Sequence, residues 1–93
     1  MTVFSPPPYR LLFTKEALKD VKKLKQAGLK EKTKKLLEIL KEDPYQNRPS
    51  YEKLVGRLKG TYSRRINIQH RLVYQIHEEE RVVRVLRMWT HYE

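Results

Sequence analysis

The sequence has no cysteine, which excludes disulfide bridges and thiolate metal sites. It has only three glycines, and they are not grouped as a phosphate-cradling loop requires. No apolar run reaches the ~18 residues of a membrane span. Met1 to Pro8 lacks a basic segment followed by an apolar core, so no signal peptide is expected. Acidic residues are scarce: 11 Asp and Glu against 21 Lys and Arg leave a net charge of +10. Such a charge points to a polyanionic partner: nucleic acid, an acidic protein segment or anionic lipid. A chain this short buries roughly 60–65% of its unfolded surface, enough for one modest core. The expectation is a single cytoplasmic domain over residues 1–93, with no membrane partner.

The basic residues are unevenly placed. Residues 1–50 hold ten lysines and two arginines, whereas residues 51–93 hold two lysines and seven arginines. Lysines on exposed helix faces are mostly solubilising. Arginines on strands are more often placed for geometry, because the planar guanidinium donates two parallel hydrogen bonds to phosphate. The densest such stretch is Tyr62-Ser63-Arg64-Arg65-Ile66-Asn67-Ile68-Gln69-His70-Arg71-Leu72-Val73-Tyr74. Its alternation predicts two strands joined by a tight connection, one face joining a core and the other carrying charge.

The remaining chain reads as support for that pair. Ser5-Pro6-Pro7-Pro8 cannot join a regular element, so residues 1–8 form an extended leader. Tyr9–Phe13 is a short strand. Thr14 caps a helix running to about Ala27, with Ala17, Leu18, Val21 and Leu24 as its apolar stripe and Gly28 as its terminator. A second helix covers about Leu29 to Glu42, with Leu29, Thr33, Leu36, Leu37 and Leu40 at helical spacing. Asp43-Pro44 ends it. Tyr51–Leu58 reads as a strand with a bulge at Gly56, Lys59-Gly60-Thr61 as a turn, and Val82–Trp89 as the last strand. The fold class is therefore α+β: an N-terminal strand and helix hairpin packed on a mostly antiparallel, twisted sheet of four to five strands.

Several residues could carry chemistry. Arg65 and Arg71 are either surface arginines paired with glutamates or the grip on a phosphate whose charge grows in a transition state. Glu52, set among Lys53, Arg57 and Lys59, is either a solvent-facing carboxylate paired with a lysine or a base for a ribose 2′-hydroxyl. His91 and Tyr92 lie at the chain end, where residues usually fray, yet Trp89 can anchor that tail and both side chains can donate protons. His70 and His77 are expected to be structural or exposed. The three scattered histidines make no metal site, and no cofactor is expected.

Glu52-Lys53-Leu54, Tyr62-Ser63-Arg64-Arg65-Ile66, His70-Arg71-Leu72-Val73-Tyr74 and the ending His91-Tyr92 together resemble the YoeB/Txe branch of the RelE superfamily, toxins of bacterial toxin–antitoxin pairs. The resemblance is strong over about residues 44–93 and compatible with the helix hairpin, and it does not include the leader. It implies a RelE-like fold and an mRNA interferase: a ribosome-dependent endoribonuclease that cuts mRNA in the A site by metal-independent 2′-hydroxyl attack. It implies Glu52 as general base, Arg65 and Arg71 as phosphate and transition-state binders, His91 as general acid and Tyr92 in support. Family members often carry a lysine three residues after the glutamate, where this chain has Val55; Lys53 and Lys59 are the candidates to supply that charge. The implied partners are mRNA on the ribosome, with lysine contacts to ribosomal RNA, and an acidic, partly disordered antitoxin. Family members can also form homodimers. Two other functions fit the same fold: a non-enzymatic gyrase poison like the ParE branch, and an RNA-binding module that grips without cutting.

Overall fold

The computed structural model describes residues 8–47, 50–54 and 60–89. Strand β1 (Arg10–Phe13) leads into helix α1 (Lys15–Gln26), followed by helix α2 (Lys30–Glu42) and strands β2 (Tyr51–Lys53), β3 (Thr61–Arg65), β4 (Arg71–His77) and β5 (Val82–Arg87). The five strands form one sheet in the order β1-β5-β4-β3-β2. β2, β3, β4 and β5 pair antiparallel in sequence order. β1 lies parallel to β5, with Arg10 opposite Val82 and Phe13 opposite Val85. A parallel neighbour needs a long crossover connection, and here the helix hairpin is part of that connection. The expected RelE-like α+β architecture is present.

Local chemistry sets the helix ends. The Thr14 hydroxyl accepts from the Ala17 amide at 3.1 Å and donates to the Leu86 carbonyl at 2.7 Å, so one side chain caps α1 and ties it to β5. Gly28, at φ +74°, turns the chain between the helices, a conformation that costs glycine little. The Leu29 amide then returns to the Leu24 carbonyl at 2.9 Å, satisfying a carbonyl that the helix end leaves open.

The core lies between the hairpin and one face of the sheet. Leu24, Leu36 and Leu40 from the helices meet Leu72, Tyr74, Val83 and Val85 from the strands, with Ile66 and Met88 closing the ends. Full burial of each large aliphatic side chain is worth roughly 1.5–3 kcal/mol.

Three expectations need correction. Leu18 and Val21 are 58% and 38% exposed, not part of the core stripe. The buried row of α1 is instead Ala17, Asp20 and Leu24, because a carboxylate occupies the position facing the sheet. The strand expected over Tyr51–Leu58 ends at Lys53, and its bulge at Gly56 lies outside the described residues. Thr61, expected in a turn, is the first residue of β3. Among the described residues no helix is long and apolar enough to cross a membrane.

Candidate active site

Register decides which side chains meet. Glu52 on β2 stands opposite Ser63 on β3. Ser63 stands opposite Val73 on β4, and Arg65 stands opposite Arg71. Since successive strand residues point to opposite faces, Glu52, Ser63, Arg65 and Arg71 share one face. Tyr62, Arg64, Leu72 and Tyr74 share the other, where the helices pack.

Arg71 is the hinge of the arrangement. Its Nη1 donates to the Glu52 carboxylate and, at 3.2 Å, to the Ser63 hydroxyl. The Arg71 side chain is 17% exposed and that of Glu52 is 64% exposed. The guanidinium is thus held from behind while the carboxylate stays open to solvent. Beside them is a groove of about 840 Å³, lined by Glu52, Arg65 and Arg71, by Asn67 and Ile68 of the β3–β4 connection, and by Lys32 and Lys35 of α2. Four cationic residues and one carboxylate therefore face a space large enough for a few nucleotides' worth of phosphate and sugar.

Arg64, the neighbour of Arg65, has a different role. It is fully buried. Its Nη2 donates to the Pro44 carbonyl at 3.0 Å and to the Gln46 carbonyl, and its Nε donates to the Tyr74 hydroxyl at 3.1 Å. The guanidinium also lies 5.1 Å from the Tyr51 ring centre. Burial pushes the Tyr74 phenol up to about 12, against the pull of Arg64. Arg64 pins the loop after α2 to the sheet by satisfying the carbonyl of buried Pro44 and reaching that of the exposed Gln46. Of the three arginines in the central stretch, two reach the groove and one belongs to the core.

Lys53 is exposed and shares the face of Tyr62 through the register, and it is not among the groove residues. Lys59, His91, Tyr92 and Val55 lie outside the described residues. His70 is buried, as a structural histidine is expected to be, and its ring stacks on Trp89 with centroids 3.7 Å apart. His77 is half-buried on β4. Sequence reasoning missed Ser63, Lys32 and Lys35. The two lysines stand three apart on α2; Lys32 lies four positions before buried Leu36 and Lys35 four before half-buried Ile39, a spacing that places them at the margin of the packed face.

A family model describing YoeB-like toxins of bacterial type II toxin–antitoxin systems matches residues 13–92. The chain belongs to this family. A comparison with curated proteins returned no match. Among solved structures, the YoeB/ParE toxin from Agrobacterium tumefaciens is 28% identical with a TM-score of 0.81, covering 89% of this chain and 99% of that one. The YoeB–YefM complex from Staphylococcus aureus is 30% identical with a TM-score of 0.76, covering 90% and 98%. Archaeal RelE from Pyrococcus horikoshii OT3, in its complex with RelB, shares the fold at 22% identity and a TM-score of 0.73, covering 88% and 93%. This YoeB-like toxin thus carries the RelE fold, and its arginine–carboxylate groove lies between the strands bearing Glu52, Arg65 and Arg71 and the margin of α2.

Proposed function

We propose that this YoeB-like toxin is a cytoplasmic, ribosome-dependent endoribonuclease that cleaves mRNA in the A site by attack of a ribose 2′-hydroxyl. The observation that carries the proposal is the Glu52–Arg71–Ser63 contact set at the edge of a cationic groove. An exposed ion pair is worth little, a median of roughly 0–1 kcal/mol, so a phosphate can readily displace it. When phosphate takes the Arg71 fork, Glu52 loses its partner and becomes available to accept a proton.

Glu52 then removes the proton of the 2′-hydroxyl, and the 2′-oxygen forms a bond to phosphorus. Arg71 and Arg65 hold the non-bridging oxygens as their charge grows. The bond from phosphorus to the 5′-oxygen breaks, and His91 gives that oxygen its proton, with Tyr92 in support. The products are a 2′,3′-cyclic phosphate and a free 5′-hydroxyl. The route uses side chains alone. Lys32 and Lys35 neutralise flanking phosphates, while Lys53, Lys59 and the other lysines contact ribosomal RNA. The ribosome supplies the positioning of the mRNA strand.

The same groove suits an acidic, partly disordered antitoxin segment that folds on binding and covers Arg65 and Arg71. Support comes from the Staphylococcus aureus relatives, which were solved as a YoeB–YefM complex and as a YoeB dimer; a homodimer is proposed here on the same ground.

The test is incubation with programmed ribosomes, mapping the cut and its termini. Cleavage within the A-site codon, leaving a cyclic phosphate, is expected. Replacing the 2′-hydroxyl by hydrogen should abolish it, and continued cutting of that RNA would reject the mechanism.

A further inference from the structure

Ile68 is 87% exposed, whereas Leu18, the next most exposed large apolar side chain among the described residues, reaches 58%. A single apolar residue on a surface is ordinary. What sets Ile68 apart is its place and the stiffness of its support. It lies at the middle of the β3–β4 connection, three positions after Arg65 and three before Arg71. Those two arginines are register partners at the base of the connection. Ile68 lines the same groove as Arg65, Arg71 and Glu52. Three residues span at most about 11 Å, so Ile68 stands close to a phosphate held by the two arginines.

The connection is held from within. Asn67 Oδ1 accepts from the amides of Gln69 at 2.9 Å and His70 at 2.7 Å. The His70 carbonyl accepts from the Ile66 and Asn67 amides at 2.8 and 3.2 Å. Ile66 is buried in the core, and the His70 ring stacks on Trp89 with centroids 3.7 Å apart. The chain is therefore anchored on both sides of Ile68. The side chain is itself stiff, because branching at Cβ restricts its first torsion. An apolar group is thus fixed in solvent with little freedom left to lose, and preorganisation of this kind favours binding.

The reaction needs such a group here. In a stacked RNA strand the 2′-oxygen, the phosphorus and the 5′-oxygen are not in line, so the base step must open before attack geometry exists. Apolar side chains, isoleucine among them, open base steps in nucleic acids by inserting between them. We propose that Ile68 is a wedge that packs against the base beside the scissile phosphate and holds that step unstacked while Arg65 and Arg71 hold the phosphate. The occupant is one unpaired base step of the RNA: the cationic groove complements its phosphate and the apolar tip its base face. Every base offers such a face, so the contact tolerates different sequences. The inference rests on the RNA-cleavage reading. It adds a substrate-contacting residue that neither holds phosphate nor moves a proton.

The test removes the wedge and the stack separately. Programmed ribosomes carry normal mRNA, or mRNA with an abasic ribonucleotide on the 5′ side of the cut. The abasic unit keeps the 2′-hydroxyl and the phosphate but leaves no base to unstack. Ile68→Ala should lower the single-turnover rate on normal mRNA by roughly tenfold or more, with thermal stability unchanged because the side chain is exposed. Ile68→Leu should recover most of that loss. On abasic mRNA the parent and Ile68→Ala should cut at nearly equal rates. A second arm places 2-aminopurine, which brightens when unstacked, at the same position of an uncleavable 2′-deoxy substrate. The parent and Ile68→Leu should raise its fluorescence, and Ile68→Ala should not. An unimpaired Ile68→Ala, equal losses on normal and abasic mRNA, or a full fluorescence rise with Ile68→Ala would overturn the inference and leave the nuclease reading intact. Where the parent cuts abasic mRNA too slowly to compare, the fluorescence arm decides. If the parent cuts no mRNA, or cuts mRNA lacking the 2′-hydroxyl, the nuclease reading fails, and the inference with it.

Discussion

Arg71 on the central strand β4 reaches across β3 to the carboxylate of Glu52 on the edge strand β2, resting on the Ser63 hydroxyl as it passes. Nineteen positions separate the two residues in the chain. Two antiparallel registers bring them together, so the pair is a product of the sheet and not of a local motif. Its exposed carboxylate and backed guanidinium make it a pair that phosphate can open.

The base is tested at Glu52. Glu52→Gln keeps the shape and a hydrogen bond to Arg71 but cannot take a proton. Its single-turnover cleavage rate should fall by roughly 10²–10⁴-fold, while its affinity for ribosomes is retained. A near-normal rate would exclude Glu52 as the base.

Arg71 needs its fork as well as its charge. Arg71→Lys preserves the cation and loses the two-pronged geometry, so kcat should fall by roughly 10²–10³-fold, the range for removing one oxyanion donor. Ser63→Ala removes only a neutral backing bond and should cost under about tenfold. Equal effects for the two variants would show that Ser63 contacts substrate directly.

Adjacent arginines should respond in opposite ways. Arg64→Ala removes the guanidinium from the Pro44 carbonyl and the Tyr74 hydroxyl in the buried interior and leaves a cavity, and should destabilise the fold by about 3 kcal/mol or more in urea unfolding. Arg65→Ala should leave stability within about 0.5 kcal/mol and lower cleavage. A stable Arg64→Ala protein with impaired cleavage would overturn the division between core and groove.

That division shows where the sequence was informative. Thr14, Gly28 and Pro44 mark the helix hairpin through capping and backbone chemistry that act locally, and their helices are found within a residue or two. Alternation in the central stretch also announces that Arg64 and Arg65 face opposite ways. It cannot say which is inside, because that is decided by the carbonyls of Pro44 and Gln46, twenty and eighteen positions away. Asp20 escaped notice for the same reason: the Arg87 guanidinium and the Met88 and Trp89 amides, which donate to its carboxylate, are close only after β5 packs on α1. Glu52 and the two groove arginines were legible mainly through family resemblance, and the register then accounts for their meeting.

Glu78 provides a pH signature of folding. The hydroxyls of Tyr45 and Tyr9 each donate to its Oε2 at 2.7 Å, and these bonds hold its carboxyl below the ordinary value of 4.5. A lowered folded value means that its stabilising contribution is fully present above about pH 4.5 and is lost as pH falls through the folded value. The Tyr9→Phe/Tyr45→Phe double variant lacks this contribution. Between neutral pH and roughly pH 3, its melting temperature should therefore fall less than that of the parent. Parallel losses would show that these hydroxyls do not couple to the carboxylate.

Lys32 and Lys35 test whether the groove extends to α2. Each phosphate neutralised by a lysine releases condensed counterions, so log K falls with log salt at a slope of about −0.7 per contact on single strands. If both lysines meet mRNA phosphates, Lys32→Ala/Lys35→Ala should flatten the slope for an uncleavable RNA by up to about 1.4 and weaken binding most at low salt. Lys15 and Lys19, on the exposed surface of α1 and outside the groove, serve as the control: their double alanine variant should change the slope for short RNA much less. Equal changes for the two pairs would mean that RNA senses the overall charge of +10 and not the groove, and the α2 margin would then have no part in guiding the strand toward Arg65 and Arg71.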